Sequence, residues 1–269
     1  MIEKLFVIGN LDELSAATPA DAQKFYQTFY RPDNAYLIVV GDFQQAQFDA
    51  WVDRYFGRIA KPAGEIPRVT VTEPDWKRER RFTDGGPNVP FPAVALTWLG
   101  PTSKSADSPA LRVAETIMSG GESSRLNISL IRDQKIAQAA EFSLENRIDR
   151  GLLILYAIAS EEGTADKIEK SLLAELAKIQ QTPVLAKELA KAKNQLISNA
   201  IRERETNDGR ASTVEQAIAY LGDPAAVNSE VAQLQAVTAA DVQRVMRKYF
   251  GADRVVIYYQ QGGGDADKK

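Results

Sequence analysis

The sequence predicts an α+β fold: an antiparallel-rich mixed sheet covered on one face by helices, in two homologous units of which the first is truncated. Three observations carry that expectation. A helix–turn–strand stretch occurs at residues 14–40 and again at 234–258, at a constant offset of 220 residues (234 − 14) and without a gap. Between the copies, strand-like runs come first and amphipathic helical runs after them, an α+β order rather than a βαβ alternation. A hydrophobic fraction of 44% beside 26% charged residues suffices for a sizeable core.

The repeat is specific in its details. Leu14, Ala16, Thr18, Ala20, Asp21, Gln23 and Asp33 recur as Leu234, Ala236, Thr238, Ala240, Asp241, Gln243 and Asp253, and the aromatic pair Phe29-Tyr30 recurs as Tyr249-Phe250. Thr18 and Thr238 stand where a helix N-cap hydroxyl belongs, each with an Asp three residues on, a variant of the capping box. Pro19 falls at the first helical position, where its missing N–H costs nothing. After each aromatic pair a short turn leads to a β-branched and aromatic run, Tyr36–Val40 and Val255–Tyr259, which reads as a buried strand. Such a unit repeated at this distance implies two related domains with like C-terminal portions. The second copy has a long structured stretch before it and the first almost none, so the chain reads as a fragment.

The other elements follow in chain order. Leu5–Ile8 reads as extended. A helix over 44–56 carries Phe48, Trp51, Val52, Tyr55 and Phe56 at helical spacing as core residues, with Gly57 placed for a left-handed cap. From Ala60 to Pro74 the chain contains Pro62, Pro67, Pro74 and Gly64, a linker composition. The expected organisation is therefore 1–66 as the end of a first domain, 67–75 as linker, 76–261 as a complete domain and 262–269 as a disordered Gly-rich tail. In the complete domain, Lys77–Phe82 reads as an edge strand and Pro92–Leu99 as a buried one. Ser108 is placed to cap a helix from Pro109 that Gly120-Gly121 stops. A helix over 123–134 precedes an antiparallel hairpin of Gln138–Leu144 and Leu152–Ala159. Thr164 opens a helix, a longer one follows Thr182-Pro183, and shorter ones lie near 210–221 and 228–235.

Composition narrows the chemistry. A net charge of −3 with no basic stripe argues against nucleic acid as partner. No apolar run approaches the length of a membrane span, and the compartment stays open between periplasm and cytoplasm. There is no Cys and no His. Ser-His-Asp chemistry and thiolate nucleophiles are thereby excluded, and the usual catalytic zinc sets need at least one His or Cys. No metal ligands and no cofactor are assigned to this chain.

Three stretches resemble the pitrilysin and mitochondrial-processing-peptidase family of zinc metallopeptidases, whose active members carry an inverted H-x-x-E-H motif. Phe29-Tyr30-Arg31-Pro32-Asp33-Asn34, with Val39-Val40-Gly41-Asp42 and Tyr55-Phe56-Gly57, is similar to the end of the family's catalytic domain. Gly120-Gly121-Glu122-Ser123-Ser124-Arg125-Leu126, followed by Leu130-Ile131-Arg132, is similar to its glycine-then-SRL helix. Val237–Val242 with Tyr249-Phe250 resembles the usual close of a domain. The resemblance implies the tail of a zinc-bearing domain followed by a complete non-catalytic one, the two closing as a clamshell on an extended peptide. Zinc is then expected in the parent or partner domain, and this chain alone is expected to be inactive. The other reading is a scaffold or assembly subunit derived from the same family, with no peptidase role.

The resemblance also implies site residues. Arg132 falls where the family's non-catalytic partner supplies an Arg beside the scissile carbonyl, a catalytic role as donor to the developing oxyanion. The accompanying Tyr position falls on Gln138 or Ala139, so the pair is incomplete. A surface Arg paired to Asp133 or Glu141 is the alternative. Gly120, Gly121, Ser124 and Arg125 are the candidate substrate-binding set. For the glycines the competing reading is a helix stop rather than an anion-binding nest, and for Arg125 a structural tie from helix to neighbouring backbone. Expected partners are a zinc-bearing homologous domain or subunit and an extended peptide taken up along an exposed sheet edge. Homo-oligomerisation is a further outcome, because residues 1–66 lack the rest of their sheet.

Overall fold

The computed structural model describes residues 11–262, so the Leu5–Ile8 stretch and residues 263–269 of the tail lie outside the described residues. The chain divides into two compact units, up to Val71 and from Thr72 onward.

In the first unit, α1 (Leu11–Ala16) and α2 (Pro19–Phe29) are followed by α3 (Gln45–Tyr55). The Thr18/Asp21 capping box forms as expected, with Pro19 in the first turn. Three expectations fail here. Residues 36–40 form no strand, and Tyr36 and Leu37 are exposed. A strand exists only through its neighbours, and the described residues of this unit offer none to pair with. Trp51 and Tyr55, expected in a core, are exposed for the same lack of cover. Gly57 does not adopt a left-handed conformation; an added Cβ there would lie 2.5 Å from the Asp53 carbonyl oxygen, so close approach accounts for the glycine. Arg31 is the one buried side chain among the unit's described residues. It donates to Asp33 at 2.8 Å through both Nε and Nη2, and to the carbonyls of Pro62 and Gly64 at 3.0 and 3.1 Å. A guanidinium fork, rather than apolar packing, ties the Pro-rich segment to the turn after α2.

The second unit is an α+β layer. Its sheet comprises β1 (Arg80–Gly86), β2 (Ala93–Leu99), β3 (Ala137–Glu145), β4 (Leu152–Ala159) and β5 (Val255–Gln261), in the order β1-β5-β2-β4-β3. The β1–β5 pair is parallel and the other three are antiparallel. The edge strand expected at Lys77–Phe82 starts later, at Arg80, where pairing with β5 begins. The helices are α4 (Ser108–Ser119), α5 (Ala165–Gln181), α6 (Ala186–Glu203), α7 (Asn207–Gln216), α8 (Glu230–Ala236) and α9 (Ala239–Tyr249).

Burial alternates along the strands, which shows that the helices cover one face. Leu153, Leu155, Ala157 and Ala159 of β4 are buried, while Leu152, Ile154, Tyr156 and Ile158 are half-buried. The core joins Val94, Leu96 and Trp98 of β2 to Leu111 and Met118 of α4, Leu172 of α5, and Val245 and Met246 of α9. Trp98 Nε1 donates to the Gly251 carbonyl at 2.9 Å, and its ring packs on Phe250, 4.9 Å between centroids.

Two helix starts differ from expectation. Asp107, not Ser108, is the N-cap of α4, and the Ser108 hydroxyl is buried without a partner. Asp107 sends its carboxylate instead to Arg244 Nη1, Lys248 Nζ and Tyr249 Oη on α9, at 2.6, 2.7 and 2.8 Å. The helix expected over 123–134 begins at Arg125 and widens to a π-helix over Asn127–Asp133.

Candidate functional site

The turn between α4 and the π-helix is built by the paired glycines. Gly120 N–H donates to the Thr116 carbonyl at 2.8 Å and Gly121 N–H to the Ser119 carbonyl at 2.8 Å. A Cβ at Gly120 would lie 2.4 Å from the Thr116 oxygen, and Gly121 sits at φ +91°, a conformation that favours glycine. Both amides are thus spent inside the turn, which stops one helix and aims the next. Neither is left to cradle an anion.

Ser124 N–H donates to the Gly121 carbonyl at 3.0 Å, its own carbonyl accepts from Ile128 at 3.0 Å, and its hydroxyl is buried without a partner. Arg125 makes a bidentate pair with Glu188 on α6, Nε to Oε1 and Nη2 to Oε2, both 2.9 Å. The tie from this helix therefore runs to a carboxylate rather than to backbone. Glu188 also accepts from Leu185 N–H at 3.1 Å at the start of α6. The bonds from Arg125 hold the Glu188 carboxyl below its ordinary range and raise the Arg125 guanidinium in turn. Beside them Lys191 Nζ donates to Ser123 Oγ, and a cleft lined by Thr116, Ser123, Glu188, Lys191 and Gln195 holds about 20 Å³, room for one water. Glu188 and Lys191 lie more than sixty positions from the motif and were not singled out from sequence. The spacing of Leu185 and Glu188 suggests only a cap.

Arg132, in the last turn of the π-helix, is exposed and forms no hydrogen bond or ion pair among the described residues. The pairing with Asp133 or Glu141 does not form. Between Arg132 and β3 the chain passes through Lys135 at φ +55°, uncommon for a residue with a side chain. Three bonds hold that loop: Ser160 Oγ to the Lys135 carbonyl (2.5 Å), Ile136 N–H to the Leu130 carbonyl (3.0 Å) and Ser171 Oγ to Gln134 Oε1 (2.8 Å). Gln138, one of the two positions on which the resemblance places the missing phenol, turns its amide back to donate to the Ala159 carbonyl at 2.9 Å. Tyr156 instead hydrogen-bonds Glu141, its partner in register on β3, which raises its phenol pKa. So the structure gathers Gly120, Gly121, Ser124 and Arg125 in one turn and leaves Arg132 apart, at the far end of the helix that the turn aims.

The sheet has two edges. On β3, Leu144 N–H donates to Glu115 Oε1 at 2.9 Å and the Phe142 carbonyl accepts from Ser119 Oγ at 3.1 Å. Side chains of α4 therefore close that edge from Phe142 onward, leaving the stretch from 138 to 141. Burial pushes the Glu115 carboxyl up. On β1, Arg80 N–H pairs with the Arg254 carbonyl, so Arg81 and Thr83 turn their backbone groups outward. The helix-free face carries Phe82, Ala95, Ile154, Tyr156, Ile158, Ile257 and Tyr259, a broad apolar surface for a sheet that otherwise faces water.

A family model described as the peptidase M16 inactive domain matches residues 16–196. The chain belongs to this family. The M16 zinc-protease resemblance read from the motifs is thereby confirmed, and with it the non-catalytic character of this domain. The chain is 24% identical over 245 residues to the zinc protease PqqE of Helicobacter pylori, covering 90% of this chain and 55% of that protein. It is 24% identical over 257 residues to cytochrome b-c1 complex subunit 1 of Caenorhabditis elegans, covering 91% and 53%. The chain thus spans about half the length of these curated relatives. A solved protease structure from Helicobacter pylori shares the fold at a TM-score of 0.88 and 23% identity, covering 94% of this chain and 62% of that one.

The family's zinc does not fit this M16 inactive domain. It has neither His nor Cys, and among the described residues no cluster of carboxylates is arranged to hold a metal. No helix among the described residues is long and apolar enough to cross a membrane.

Proposed function

We propose that this M16 inactive domain forms one wall of a peptide chamber, opposite a zinc-bearing homologous domain that performs the hydrolysis. The observation that supports it best is Arg132. It is an exposed guanidinium with no partner, on a helix aimed by the Gly120-Gly121 turn and anchored by the Arg125–Glu188 pair. The resemblance puts it at the family's Arg position, and it precedes the stretch of the β3 edge, 138–141, that α4 side chains leave uncovered among the described residues. An unpaired guanidinium there donates to a developing oxyanion without first breaking a bond of its own. An extended peptide adds along residues 138–141, and the apolar sheet face takes up side chains on its flank. Gly120, Gly121, Ser124 and Arg125 serve this site by positioning the helix rather than by touching substrate. The likeness to a cytochrome b-c1 subunit suggests a scaffold role, but that role gives an unpaired Arg132 nothing to do.

The test is proteolysis of extended peptides by this chain combined with the zinc-bearing domain that co-purifies with it. Arg132→Ala is expected to lower kcat about 100-fold, with KM and unfolding midpoint little changed. Zinc-dependent cleavage by this chain alone, or an Arg132→Ala complex as active as the parent, would overturn the proposal.

A further inference from the structure

At the β3 edge, helix side chains bond to strand backbone as a neighbouring strand would. Along an antiparallel ladder, residues that exchange both backbone bonds with their partner alternate with residues whose backbone groups face away from it. The Phe142 carbonyl and the Leu144 N–H face away from β4, since they meet Ser119 Oγ at 3.1 Å and Glu115 Oε1 at 2.9 Å. The outward residues of β3 are therefore Ala140, Phe142 and Leu144, while Glu141 and Ser143 bond across the ladder to Tyr156 and Ile154. Among the described residues nothing takes the N–H and carbonyl of Ala140 or the N–H of Phe142. Glu115 and Ser119 stand four apart on one face of α4, a rise of about 6 Å. Phe142 and Leu144 stand two apart on one side of β3, about 7 Å. The matched spacing lets one helix face stand in for a strand over those two positions.

We infer that Glu115 and Ser119 are a stop that fixes the register and length of a peptide added to β3. The added strand pairs with both backbone groups of Ala140 and with the Phe142 N–H. To run further it has to displace the two α4 side chains, so its paired segment ends there. On the other side the regular ladder ends at the irregularity between Ala137 and Ala139. The inference rests on the proposed peptide chamber and deepens it by naming residues that determine specificity without touching the scissile bond. Recognition through main-chain bonds is indifferent to side-chain identity, so the substrates it selects are peptides with a short extended run rather than a fixed sequence. Covering an edge is also how proteins prevent unwanted strand pairing; here the cover is partial, and the part left open follows the helix that carries Arg132.

The test uses the complex of this chain with the zinc-bearing domain that co-purifies with it. Its probe is a nested series of capped peptides, lengthened one residue at a time at each end of the shortest one cleaved. In the parent, lengthening at one end stops lowering KM once the peptide reaches Phe142. In a Glu115→Ala, Ser119→Ala double variant KM goes on falling, about tenfold over the next two residues, and the change is in KM and not in kcat. Glu115→Gln keeps an acceptor for the Leu144 N–H and keeps the plateau. Amide exchange on the chain alone, with the longest peptide at saturation, reads the same stop without cleavage. Ala140 and Phe142 gain protection in the parent, and Leu144 gains it only in the double variant. A complex that cuts nothing sinks the proposed function, and the exchange pattern then decides the stop by itself. A plateau that the double variant leaves in place, Glu115→Gln behaving as Glu115→Ala, or no protection at Ala140 and Phe142 each overturns the inference.

Discussion

Replacing Asp107 by Asn removes the charge at the centre of the contact between α4 and α9. Burial alone pushes the Asp107 carboxyl up, but hydrogen bonds from Lys248, Arg244 and Tyr249 outweigh it and bring the group down to about 2. Against an unfolded value of 3.8, that difference corresponds to roughly 2 kcal/mol at 1.36 kcal/mol per pH unit. The Asp107 side chain is 10% exposed while Arg244 and Lys248 are half in water, so solvent screening reduces the net contribution to about 1 kcal/mol. The folded pKa is depressed, so this stability is fully present above about pH 4 and is lost as pH falls toward 2. Urea unfolding followed by circular dichroism is the assay. Asp107→Asn is expected to lose about 1 kcal/mol at pH 7 and to show a shallower loss of stability between pH 4 and 2 than the parent. Equal stability at pH 7 together with an unchanged acid slope would refute the assignment of the carboxylate as the tie between the helices.

Three further experiments probe the support of Arg132. A double-mutant cycle between Arg125→Ala and Glu188→Ala should give a coupling of about 1 kcal/mol, since the pair is bidentate and partly buried; because the bonds from Arg125 hold the Glu188 carboxyl below its ordinary 4.5, the coupling is fully present above that pH and fades as pH falls below it, and a value near zero at pH 7 refutes it. Lys135→Val, a β-branched residue at φ +55°, should cost about 1 kcal/mol or more in urea unfolding, whereas the same change at exposed Lys187 should cost under about 0.5. Gly163→Ala would place a Cβ 2.0 Å from the Ile136 carbonyl oxygen and should cost about 3 kcal/mol in the unfolding midpoint; a neutral outcome would show that the loop yields.

What was legible in the sequence was what is coded within four residues or by an uninterrupted period. Thr18 with Asp21 and Thr238 with Asp241 form their boxes because cap and carboxylate are three positions apart and need nothing else. The hairpin of β3 and β4 and the stripes of α5 and α6 follow from alternation and helical spacing in the same way. What was not legible depends on partners far away in the chain. Asp107 looks like one more polar residue of a loop until Arg244, Lys248 and Tyr249 arrive from 137 to 142 positions downstream. Arg125 waits on Glu188 likewise, and no propensity distinguishes a π-helical turn at Asn127–Asp133 from an α-helical one. Arg132 was singled out because a motif gave its position; that it has no hydrogen-bonding or ionic partner among the described residues is a tertiary fact.

The failed strand at Tyr36–Val40 separates these two kinds of information most sharply. Its β-branched and aromatic run is as strand-like as Val255–Tyr259, yet one is sheet and the other is not. Backbone donors and acceptors in an extended segment need neighbours within hydrogen-bonding distance, and those neighbours are not coded in the segment itself. Propensity therefore records what a segment is suited to join, and pairing records what is there to be joined. The internal repeat supplies a reference: Val245, Met246, Phe250 and Val256 are buried because α4, α5, β1 and β2 are there to receive them, whereas Phe25, Tyr26, Tyr30 and Tyr36 meet no such neighbours among the described residues.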